Sequence, residues 1–127
     1  MDGFIYGYTE DKVPITDITE FELALGNPNR AVARADLGCA LVRTSYLVQD
    51  HDMLGARPFT EPNPHPWIYG TLVDVYPNAP EPVWELDGRE WFWGSRDDAL
   101  EGHAATVAML DAEIKAGEKL AAEDGEN

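Results

Sequence analysis

Apolar positions along the chain change period twice. Over residues 40–49 the run ALVRTSYLVQ places Val42, Tyr46 and Val48 on one face around Thr44, the two-residue period of a strand. Over 67–76, Trp67, Tyr69, Thr71, Val73 and Val75 alternate against Ile68, Leu72 and Tyr76, which predicts a second strand. After Ser95 the period becomes helical, because Leu100, His103, Val107, Leu110 and Ile114 recur at spacings of three and four. Ser95 is the predicted N-cap, Asp98 its capping partner three residues on, and Asp97 complements the helix dipole. This helix should run into the Ala/Glu/Lys-rich segment after Ile114 and weaken at Gly117, leaving 116–127 to fray.

Weaker signals fill the rest. Residues 4–8 are short and aromatic, a strand candidate. Asp17 followed three residues later by Glu20 starts a short helix whose Ile18, Phe21 and Leu25 share a face and which Gly26 stops. The alanines of 29–37, followed by Gly38, predict a second short helix. Seven of the nine prolines fall between Pro58 and Pro82, so FTEPNPHP and PNAPEP read as ordered loops that can be neither regular helix nor central strand. Residues 83–93 read as a hairpin about Asp87-Gly88, a preferred type I′ pair, which sets Glu85 opposite Glu90 and Trp84 opposite Trp91. The assembly these elements predict is α+β: a small antiparallel sheet of three to five strands, a C-terminal helix packed on one face, and one or two short N-terminal helices.

Length and composition add bounds. A chain of 127 residues, 44% hydrophobic, fits one domain over 1–127 with one core. No apolar run approaches the ~18 residues of a spanning helix, and the start MDGFIYGYTEDK has no signal-peptide pattern, so a cytoplasmic location without membrane contact is expected. A single cysteine, Cys39, agrees with a reducing compartment. The formal charge of −15 disfavours direct contact with nucleic acid. The excess is C-terminal: 61–127 carry fifteen acidic and four basic residues, against nine and five in 1–60. Such a surface either imitates a phosphate array or serves solubility; the carboxylates are scattered among apolar positions and form no run of five or six, which favours solubility.

Three places could carry chemistry. Gln49-Asp50-His51-Asp52, ahead of Gly55, could orient a general base or ligate a metal, or be a polar turn. His103, on the apolar stripe of the last helix, is a second candidate or a packed side chain. His65 lies between prolines and reads as solvated, while Cys39 reads as a small buried residue. No HxxxH, HExxH or CxxC spacing is present, and neither metal nor cofactor is expected. The tryptophans 67, 84, 91 and 93 fall in one window beside Glu85 and Glu90. Together these six residues form the candidate protein-binding set, because Trp dominates interface hot spots and a small sheet has limited room to bury four.

Asp50, His51 and Gly55, followed by Ser95, Asp98, Ala99, Gly102 and His103, form an Asp-His-to-glycine turn and a Ser/Thr-x-x-acidic-Ala-x-x-Gly-His helix start. In these motifs the span 42–110 resembles small uncharacterised proteins of actinobacterial phages and prophages. It departs where that pattern has an acidic residue just before Thr71, which here is Gly70. The resemblance implies a phage origin and carries no activity. Three functions follow: a non-enzymatic accessory protein that binds a host or phage protein, with oligomers allowed; a minor virion component; and a small metal-dependent hydrolase joining Asp50, His51 and His103.

Overall fold

The computed structural model describes residues 4–51 and 60–124. In chain order the elements are β1 (Gly7–Tyr8), β2 (Pro14–Ile15), α1 (Ile18–Leu25), β3 (Ala31–Asp36), β4 (Ala40–Tyr46), β5 (Tyr69–Val75), β6 (Glu90–Trp93) and α2 (Arg96–Asp124). The fold is α+β. β3, β4, β5 and β6 form an antiparallel sheet in sequence order, and β1 pairs with β2 in a separate two-stranded ribbon.

The two strongest strand patterns become the centre of this sheet. β4 and β5 pair so that Val42 faces Val73, Thr44 faces Thr71 and Tyr46 faces Tyr69. These six side chains are buried on the face that α2 covers. The helix meets them with Ala99, His103, Thr106, Leu110 and Ile114, a stripe at helical spacing. Leu100 departs from its predicted place: it is 42% exposed, and the smaller Ala99 takes the inward position one residue earlier. Two apolar clusters result. One joins Tyr8, Ile15, Tyr46, Val48, Ile68, Tyr69 and Ala99; the other joins Val42, Val73, Val83, Leu110 and Ile114.

The N-cap signals of both helices hold. Asp17 accepts from the Thr19 and Glu20 amides, and the Asp98 amide donates to Ser95 Oγ at 3.1 Å. Gly117 does not weaken α2, which continues to Asp124; a Cβ there would lie 2.7 Å from Pro80 Cβ, so the bare backbone lets the helix pass the loop. Gly102 does the same against the Trp93 indole, which any Cβ would overlap.

Two predicted elements are different. The helix predicted over 29–37 is a single 3-10 turn, Pro28–Arg30, followed by β3. Its apolar stripe is too weak to hold an isolated helix, whereas β4 offers a full ladder of backbone partners. Gly38, at φ +87°, occupies the first central position of a two-residue turn closed by a Leu37 N–H to Ala40 O bond of 2.8 Å. The predicted 83–93 hairpin is also absent. After Pro80 the chain makes a 3-10 turn, Glu81–Leu86, in which Pro82 has no amide to offer a ladder. Asp87 at φ −61°, ψ 132° and Gly88 at φ +77°, with Arg89 N–H donating to Leu86 O, form a type II turn. Trp84 therefore does not face Trp91, nor Glu85 Glu90. β6 pairs with β5 instead, Trp93 facing Tyr69 and Trp91 facing Thr71.

Candidate functional site

A polar belt lies between the two apolar clusters. Thr44 and Thr71 face each other across β4 and β5, and their hydroxyls are 2.7 Å apart. Thr44 Oγ1 is also 2.8 Å from His103 Nδ1, and the Trp93 indole N–H donates to Thr71 Oγ1 at 3.0 Å. One assignment uses every proton: Trp93 donates to Thr71, Thr71 to Thr44, and Thr44 to His103 Nδ1, leaving the imidazole proton on Nε2. A second proton on Nδ1 would reverse this relay and leave the Thr71 hydroxyl proton without its acceptor. Burial itself lowers the His103 pKa from its usual 6.5. Both effects favour the neutral imidazole, which anchors the first turns of α2 to the sheet centre.

Asp50 and His51 stand elsewhere. Asp50 Oδ1 accepts from the Trp67 amide at 2.8 Å, and Oδ2 from the Asn63 side-chain amide at 2.9 Å. The buried Asn63 in turn accepts from the His65 amide, and its own amide donates to the Tyr8 hydroxyl. This carboxylate ties the end of the strand path to the proline-rich return, the local order that a loop without a ladder needs. The His51 amide donates to Trp67 O, and its ring stacks on Phe92 with centroids 4.7 Å apart and planes 4° from parallel.

Phe92 faces Gly70, where a Cβ would meet Leu47 and Phe92, on the side of the sheet away from α2; its neighbours Trp91 and Trp93 pack into the clusters beneath the helix. His51 and His103 therefore lie on opposite faces of the sheet. Strands stand between the two imidazoles, so the described residues do not bring them, or them and Asp50, into one site. Asp52 and Gly55, the remainder of that predicted cluster, lie outside the described residues. Among the described residues no three His, Cys, Asp or Glu side chains converge as metal ligands. Cys39 is buried, and burial together with the Glu118 charge raises its thiol pKa, the opposite of an activated nucleophile.

The six residues predicted to bind a partner are dispersed. Trp67, Trp91 and Trp93 are half-buried, and Glu90 is exposed on the sheet face away from α2. Trp84 is 51% exposed and stands on the Glu81–Leu86 turn between the exposed Glu81 and Glu85. Its indole N–H is fixed on Ala79 O at 2.9 Å, so the ring is held while a face remains in water.

Sequence reasoning passed over Thr44, Thr71 and Asn63. The signal for the threonines was present, since each is the one polar residue at an inward position of an otherwise apolar strand face. Asn63 gave none, because its partners Asp50 and Tyr8 are distant in sequence. Comparison of the chain with protein-family models, curated proteins and solved structures finds no match.

Proposed function

We propose that this chain is a non-enzymatic accessory protein, phage-derived on the resemblance stated above, that binds a basic protein partner through Trp84 and its flanking carboxylates. The single observation that supports this reading is a tryptophan half in water yet fixed by its indole hydrogen bond. A pre-positioned aromatic anchor loses little side-chain freedom on binding, and Trp is the residue most enriched among interface hot spots. Glu81 and Glu85 on the same turn, within a chain of net charge −15, give the surface its sign.

The test is recovery of the tagged protein from its host lysate followed by native mass spectrometry of the eluate. A stoichiometric protein partner is expected with the wild type and with His51→Ala, and its loss with Trp84→Ala, which truncates a hot-spot side chain worth ~2 kcal/mol or more. A partner retained by Trp84→Ala overturns the assignment of the surface. A bare chain carrying a bound small molecule overturns the binding reading.

A further inference from the structure

β3 is an end strand of the four-stranded sheet, and its turn fixes which way its backbone groups point. The Leu37–Ala40 pair is hydrogen-bonded, and bonded and non-bonded pairs alternate along an antiparallel ladder. Ala35, facing Val42, and Ala33, facing Thr44, therefore direct their amides and carbonyls to β4. Arg34 and Asp36 direct theirs to the open side, where no backbone hydrogen bond from another described segment meets them. Both side chains are exposed. Arg34 stands directly opposite Arg43, whose guanidinium is already taken by Asp74 at 2.7 Å, and no described carboxylate pairs with Arg34.

We propose that this edge pairs with β3 of a second copy of the chain, antiparallel about Ala35, joining two four-stranded sheets into one. In that register Arg34 faces Asp36 of the second copy, and Asp36 faces its Arg34. Each of these two pairs forms an ion pair and exchanges two backbone hydrogen bonds through the groups that point outward. Ala35 faces Ala35, so the centre of the contact carries no bulky side chain beneath the sheet, and Leu37 just beyond it faces the small Ala33. The register is unique in charge: shifted two residues either way, it sets Arg34 on Arg34 or Asp36 on Asp36, and like charges directly opposed destabilise a strand pair. Charged side chains usually protect an edge from such pairing. Here alternating signs two residues apart make the edge complementary to itself. The irregularity between Ala31 and Ala33 limits the regular stretch, so the contact is short and the dimer weak.

Sedimentation velocity on the purified full chain tests this. The wild type is expected to pass from monomer to dimer between about 5 and about 500 µM, the range of a small reversible interface. Arg34→Glu places carboxylate on carboxylate twice, and Asp36→Lys places cation on cation twice, so each variant alone is expected to stay monomeric. An equimolar mixture restores both complementary pairs and is expected to form the heterodimer. Trp84→Ala should dimerise as the wild type does, which separates this contact from the proposed partner surface. A wild type that stays monomeric throughout overturns the proposal, whether the edge is vacant or receives another protein. So does a mixture no more associated than its components. The wild-type series decides independently of how well either variant folds.

Discussion

Burial lowers the His103 pKa, and a second proton, on Nδ1, would cost the Thr71 hydroxyl its acceptor. Nδ1 receives the Thr44 hydroxyl, and the hydroxyls behind it are oriented by the Trp93 indole. The direction of the pH effect follows from burial, which lowers the folded pKa below the unfolded value near 6.5. Below that value the unfolded chain binds more protons than the folded one, so this contribution to stability is complete above about pH 6.5 and is lost as pH falls toward the folded pKa. Asn at this position keeps an acceptor near Nδ1 and removes the titration. His103→Asn is expected to be less stable than the wild type near neutrality, by ~1–3 kcal/mol for the lost packing, and to lose less stability on acidification. Urea unfolding at about pH 7.5 and about pH 5.5 measures both. An equal loss in the two proteins would remove the imidazole from the acid response. Of this arrangement, the stripe position of His103 was legible in the sequence. Thr44 and Thr71 were legible as polar residues at inward positions, but their meeting with His103 was not, since they come from two strands 59 and 32 residues away, as the numbers 103, 44 and 71 show.

Elements were legible where pattern and context agree. β4, β5, α1 and α2 each combine a clear period with bounds set by caps or prolines; the first three stand close to their predicted spans, and α2 starts where predicted but runs past Gly117 to Asp124. β3 was not, because AVARAD has an alanine content that suits a helix and an alternation that suits a strand, and the choice is made by β4. The Asp87-Gly88 pair marks a turn, but a type II rather than a type I′ one, since the prolines upstream wind the preceding residues into a 3-10 turn and leave no strand to close. Glycine at two of these boundaries separates the cases. Gly88 sits at φ +77° with open space around it, so its substitution costs backbone strain alone. Gly88→Ala is expected to destabilise by ~1–2 kcal/mol, the cost of the left-handed region for an L-residue. Gly26, read equally well as a helix stop, has φ −81° and only ordinary contacts, so Gly26→Ala should cost nothing. Urea unfolding of the two variants checks the contrast, and equal losses would mean that Gly88 does not hold a positive φ.

At the scale of the molecule the charge of −15 acts on folding and on binding with opposite sign, and this separates solubility from mimicry. The described ion pairs, Arg43–Asp74, Arg96–Glu10 and Lys115–Asp111, all lie at the surface with side chains 37–74% exposed. Pairs of that kind contribute ~0–1 kcal/mol, so salt has little attraction to remove. Repulsion among the surplus carboxylates outweighs them, and it is screened as the Debye length falls from ~30 Å at 0.01 M to ~3 Å at 1 M. The melting temperature at dilute, monomeric concentration is therefore expected to rise by several degrees on going from about 20 mM to about 500 mM sodium chloride. A fall would mean that attractive pairs outweigh the net charge. Over the same range, a complex held by Trp84 with Glu81 and Glu85 against a basic partner should weaken, because screening removes the attraction that the surplus charge supplies. A folded state that strengthens while the complex dissociates assigns the carboxylates to partner recognition. A folded state that strengthens beside a complex indifferent to salt leaves Trp84 as the contact and assigns the charge to solubility alone.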